Sequence, residues 1–178
     1  VVFDEAHHLE NIAGDALGQR FSGGMLEWVL SRLVNRRGKG LLHRLGRFEE
    51  IERIQKLRRS AAEYWSVVEA RLNAGDGSTL RLHREDCIDD SLSQGLEALA
   101  RTLHEHAEGC ERETELELKS RTERLFDLAA IARDFASPAK DNTVRWIERS
   151  NRSAVLRSAP IRVAEILREG LFEQMPAS

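Results

Sequence analysis

The sequence predicts a mainly α protein with a short N-terminal strand and a C-terminal β-hairpin, and three observations carry that prediction. Apolar residues recur at three- and four-residue steps over most of the chain, the opening run Val1-Val2-Phe3 is wholly apolar and β-prone, and two apolar stretches around 144–156 flank a polar turn. With 178 residues the length suits one domain with enough chain to bury a core. Hydrophobic residues make up 41% and charged residues 32%, with only 3 Pro, and this balance excludes collagen-like, low-complexity and generally disordered chains.

In chain order, Val1, Val2 and Phe3 suit a strand buried on both faces, as in a parallel α/β sheet. The chain opens on Val1 without a leading loop, which predicts a piece of something larger. Leu9, Ile12, Ala13, Ala16 and Leu17 form one helical stripe, and Met25, Leu26, Val29, Leu30, Leu33 and Val34 a second, with a break at Gly23-Gly24. Residues 35–42, with Gly38 and Gly40 among basic side chains, read as a loop. A long helix over about 48–72 places Ile51, Ile54, Leu57, Ala61, Trp65, Val68 and Leu72 on one face, and 73–78 ends it with turn chemistry.

Leu80 and Leu82 alternate with Arg81 and His83, which allows a short edge strand. The next helix carries Leu92, Leu96, Leu99, Leu103, Ala107 and Cys110 on one face, and another over about 111–136 carries Leu118, Leu125, Leu128, Ala132 and Phe135. The hairpin pairs Val144, Trp146 and Ile147 with Ala154, Val155 and Leu156, and Trp146 is expected to be a packing anchor. A last helix follows Ala159-Pro160, with Val163, Ile166, Leu167 and Leu171 apolar.

Formal net charge is -3, but the charge is segregated. Residues 32–59 hold ten Lys or Arg against three Glu, a net +7, while residues 76–123 hold thirteen acids against six bases, a net -7. Such asymmetry points to a polyanion-facing surface on one part of the chain. No run reaches the roughly 18 apolar residues of a membrane span, and no signal-peptide pattern opens the chain. Cys87 and Cys110 are too few for a disulfide framework and are expected to pack as small apolar residues. These features predict a cytoplasmic protein without a membrane partner.

A buried strand that delivers Asp4 and Glu5 at its carboxyl end places two acids where open α/β sheets bind ligands. One carboxylate can hold Mg²⁺ and its neighbour can act as general base. With Ala6 and His7 the run Val1-Val2-Phe3-Asp4-Glu5-Ala6-His7 resembles the Walker B box of DEAH-type helicases. The continuation His8-Leu9-Glu10-Asn11-Ile12-Ala13 is similar to the DinG and XPD family of superfamily-two DNA helicases. So are Asn142-Thr143-Val144-Arg145-Trp146-Ile147-Glu148 and the stretches 158–161 and 167–172, which resemble the approach to motif III.

The resemblance implies a helical Arch-like insertion joined to an incomplete α/β helicase motor domain. Residues 1–20 would be the Walker B strand and following helix, 21–140 the insertion, and 141–178 the hairpin and helix leading toward motif III. It implies an ATP-dependent helicase that moves 5′ to 3′ along single-stranded DNA, with the remainder of the motor as partner and ATP and Mg²⁺ as cofactors. Asp4 would be the Mg²⁺-associated acid, Glu5 the catalytic base, and His7 the link from the nucleotide site to the nucleic-acid motifs. No Gly-x-x-x-x-Gly-Lys-Ser/Thr loop occurs, so hydrolysis is expected of the full-length parent and not of this chain alone. An iron-sulfur cluster is possible in the parent, but its ligands would precede the Walker B box.

Arg32, Arg36, Arg37, Lys39, Arg44 and Arg47 flank the glycine-containing loop and are the candidate nucleic-acid contacts, with Phe48 as the nearest aromatic. The competing view of these residues is a solvated helical face. His104, His106 and Cys110 fall short of a tetrahedral zinc site, and His7-His8 lacks HExxH spacing. A different class of function, a helical protein-interaction module with an accidental Asp-Glu-Ala-His match, is the alternative.

Overall fold

The computed structural model describes residues 17–75, 77–151 and 153–162. The strand expected at 1–3, most of the stripe at 9–17 and the helix after Pro160 lie outside them. The described elements are β1 (Gln19–Ser22), α1 (Gly23–Leu33), α2 (Leu41–Arg44), α3 (Phe48–Asn73), β2 (Thr79–Leu82), α4 (Ser93–Ala107), α5 (Arg112–Phe135), β3 (Thr143–Ser150) and β4 (Ser153–Pro160). The protein is mainly α, with one four-stranded antiparallel sheet of order β1-β4-β3-β2.

The three long helices follow their apolar stripes. On α3, Ile51, Ile54, Leu57, Ala61, Val68 and Leu72 are buried, with Tyr64 beside them and Trp65 half-buried against the core. On α4 and α5 every stripe residue from Leu96 to Ala107 and from Leu118 to Phe135 is buried, and the two form a helical hairpin across a four-residue connection. The edge strand at 80–82 is present as β2, paired with β3 through Leu80↔Ile147 and Leu82↔Arg145. β2 lies in the segment read as an insertion and β3 in the segment after it, and their pairing places the two segments in one sheet.

The sheet packs one face on the helices. Phe21, Leu82, Ile147 and Leu156 point inward, and the Phe21 ring meets Trp65 edge-on at 5.1 Å and Tyr64 at 6.0 Å. Ser22 closes β1 and caps α1, its hydroxyl accepting from the Met25 N–H at 3.2 Å.

Three expectations need correction. Gly23-Gly24 does not separate two helices: α1 begins at Gly23, and Gln19–Ser22 before it is strand, held by β4. The loop read over 35–42 ends early, because Leu41 and Leu42 are buried and start α2. Trp146 is not the hairpin's core anchor. The pleat sends Arg145 and Ile147 inward, so Trp146 sits half-buried on the opposite face, where its indole N–H donates to Glu148 Oε2 at 3.0 Å and the Arg157 guanidinium lies 6.0 Å from its ring. The largest fully buried side chain of the hairpin is Arg145.

Candidate nucleic-acid interface

The basic loop is ordered by Asn35. Its Oδ1 accepts from the N–H groups of Arg37 at 2.9 Å and Lys39 at 3.1 Å, its own N–H donates to Lys39 O at 2.8 Å, and Gly38 N–H donates to Asn35 O at 3.0 Å. The turn requires φ of 75° at Gly38 and 148° at Gly40. A Cβ on Gly40 would stand 2.8 Å from Leu33 O and 3.1 Å from Val34 Cα, so the chain closes on the end of α1 more tightly than any side chain allows. With the backbone spent on its own hydrogen bonds, the side chains of Arg36, Arg37 and Lys39 stand exposed.

Beyond Gly40, α2 anchors the loop through Leu41 and Leu42, and Gly46 at φ 67° turns the chain into α3. Arg44 is exposed on α2 and Arg47 half-buried at the start of α3. His43 and Phe48 stand at the same bend, their rings edge-to-face at 6.0 Å, with Phe48 62% exposed. Among the described residues no ion pair engages Arg37, Lys39, Arg44 or Arg47. Their charges are therefore available to a polyanion without the loss of an internal partner.

Two cations of the block are tied to Glu27. Arg58 donates to both of its carboxylate oxygens at 3.1 Å and also to Val34 O at 2.8 Å, and Arg36 Nε lies 3.4 Å from Oε1. Burial by itself would raise the Glu27 carboxyl, but the Ser31 hydroxyl and the Arg58 and Arg36 charges outweigh it and hold the group below its ordinary value. This carboxylate joins α1, the loop and α3.

The sequence-predicted residues thus divide. Arg36, Arg37, Lys39, Arg44 and Arg47 come together around the loop and α2. Arg32 belongs elsewhere, one turn after Trp28 on α1, with its guanidinium 5.3 Å from the indole centroid. Arg121 of α5 lies 5.4 Å from the same ring. Trp28 is 51% exposed and borders a groove of about 840 Å³ lined by Arg20, Met25, Val29, Arg124, Leu128 and Ile131. Sequence reasoning passed over Trp28; the Trp28–Arg32 spacing of four on a helix was the available signal. Asp4, Glu5 and His7 lie outside the described residues.

Elsewhere, His106 Nε2 lies 3.0 Å from Glu50 Oε1, and the Cys110 thiol donates to His106 O at 3.1 Å while the residue packs against the core. Cys87 is a half-buried free thiol, and its carbonyl accepts from Arg71 at 2.8 Å. Among the described residues no group of three or more His, Cys, Asp or Glu could hold a metal ion, and no helix is long and apolar enough to cross a membrane. The chain matches no protein-family model and no curated protein.

Proposed function

We propose that this chain is part of an ATP-dependent 5′ to 3′ DNA helicase of the DinG/XPD type, in which its helices form an Arch-like insertion that helps enclose single-stranded DNA. The supporting observation is the Asn35-ordered loop, which presents Arg36, Arg37 and Lys39 to solvent beside Arg44, Arg47 and the exposed ring of Phe48. Cations held on a fixed backbone give sequence-independent phosphate binding, and a neighbouring exposed ring suits unpaired bases. Glu5 as general base, Asp4 as the Mg²⁺ acid and His7 as the link to the nucleic-acid motifs belong to this reading. When bound, Mg²⁺ would neutralise charge on the ATP phosphates, and hydrolysis falls to the full-length cytoplasmic parent, whose remaining motor supplies the phosphate-binding loop.

The test is binding of a fluorescent single-stranded oligonucleotide at about 50 and 200 mM salt, beside the variant Arg36→Ala/Arg37→Ala/Lys39→Ala. The parent should bind at the lower salt and lose most of its affinity at the higher. The variant should bind weakly, with a log-log salt slope shallower by about 2, since each lost phosphate contact removes roughly 0.7 for single strands. Equal binding by the variant would remove the loop from the interface.

A further inference from the structure

We propose that the Trp28–Arg32–Arg121 stack and the groove beside it form a second subsite for single-stranded DNA, one that takes an unstacked base. The inference rests on the reading of this chain as a DNA-enclosing element and adds to it a site on a different pair of helices, α1 and α5.

Three features converge there. A Trp that is 51% exposed has two guanidiniums over its ring, at 5.3 and 5.4 Å, one from its own helix and one from α5. Indole and guanidinium planes both accept bases by stacking, and the exposed Arg32 guanidinium can reach a phosphate beside the ring while half-buried Arg121 backs it. The adjoining groove of about 840 Å³ is rimmed by Arg20 and Arg124 and floored by Met25, Val29, Leu128 and Ile131. Its only acid among the lining residues is Asp127, whose Oδ2 lies 3.9 Å from Arg124. The cationic rim selects an anionic polymer, and the apolar floor suits a flat base turned away from water.

The site also continues the basic loop. Trp28 and Arg32 are one helical turn apart on α1, about 6 Å along the axis, and Arg36 follows just past the helix end, folded back to Glu27. A strand lying along α1 would meet the ring first and the loop second. Guanidiniums alone would serve an acidic peptide equally well, and the exposed indole among them is what favours alternating bases and phosphates.

The experiment uses the 178-residue chain and three probes: an oligothymidylate of about 20 nucleotides, an abasic strand of the same length, and polyglutamate. The parent should bind the thymidylate roughly ten-fold more tightly than the abasic strand. Trp28→Leu should remove that preference while leaving abasic binding unchanged, Trp28→Phe should restore most of it, and thermal unfolding of Trp28→Phe should match the parent. Arg121→Gln should weaken both strands and lower the salt slope.

If Trp28→Leu keeps the preference while the loop variant loses DNA, the subsite is refuted and the loop interface stands. If no strand binds at low salt, both fall. If polyglutamate displaces the thymidylate and its own binding depends on Trp28, the groove is a site for acidic peptide and the proposal is overturned.

Discussion

Glu50 on α3 and His106 on α4 face each other with Oε1 and Nε2 3.0 Å apart, and Glu50 is buried. The pair ties the start of the longest helix to the end of its neighbour. Burial alone would raise the Glu50 carboxyl, but its own backbone N–H, the His106 hydrogen bond and the His106 and Arg53 charges prevail and hold it below its ordinary value. A carboxylate depressed by folding contributes stability that is present above the unfolded value near 4.3 and lost as pH falls through the lower folded value.

Acid unfolding should therefore steepen below about pH 4, and Glu50→Gln should flatten that limb. His106→Ala leaves the buried carboxylate without its partner and should cost about 1–3 kcal/mol at neutral pH. Denaturant midpoints measured from pH 3 to 7 check both; an unchanged acid limb in Glu50→Gln would remove the pair from the account.

Arg145 is buried at 1% exposure and uses carbonyls in place of a carboxylate. It donates to Asp134 O and Ser137 O at 2.8 Å and to Arg84 O at 3.3 Å, and lies 5.6 Å from the Phe135 ring centroid. It thereby pins the end of α5 and the segment after β2 to the sheet. Arg145→Met should cost about 3 kcal/mol and lower Tm by roughly 6–12 °C, because it removes three hydrogen bonds of a buried guanidinium to the carbonyls of Asp134, Ser137 and Arg84. Arg145→Lys should recover only part, since one ammonium lacks the spread of the guanidinium fork. Thermal melts of both variants provide the comparison.

In the basic loop the two glycines should respond differently. A Cβ on Gly38 meets nothing within 4 Å, so Gly38→Ala carries only the left-handed backbone penalty, about 1–2 kcal/mol. Gly40→Ala adds the 2.8 Å clash with Leu33 O and should cost more, with weaker DNA binding as the loop opens. Equal melting temperatures for the two variants would contradict this ordering.

Glu27 restrains Arg36 at the interface and Arg58 behind it. Glu27→Ala releases the exposed Arg36 and leaves Arg58 held by Val34 O, and should lower stability by about 1–2 kcal/mol while tightening single-stranded DNA binding with a steeper salt slope. Stability and affinity moving in opposite directions is the signature to seek in paired unfolding and binding titrations.

Helices α3 and α5 were legible in the sequence to within a residue at each end, and α4 except that its stripe was read on to Cys110, past its end at Ala107, because their periodicity is local and each stripe is long enough to average out exceptions such as Trp65. The cations of the loop were legible too, as composition. Their fixed presentation was not, since it depends on Asn35 hydrogen bonds and on how closely Gly40 approaches the end of α1.

Contacts distant in the chain decided the rest. Gln19–Ser22 carries no alternating pattern, and its strand state comes from pairing with Ser158–Val155, across more than 130 residues. The inward turn of Arg145 and the outward turn of Trp146 follow from the register of β3 between β2 and β4, which a two-residue alternation cannot assign to a face until one side is packed. Arg121 reaches Trp28 from a helix more than 90 residues later. Sequence by itself determined which segments are helical and where positive charge collects, because those properties are local sums; tertiary structure alone decided which aromatic stands among arginines and which arginine is buried, because those depend on what the fold brings alongside.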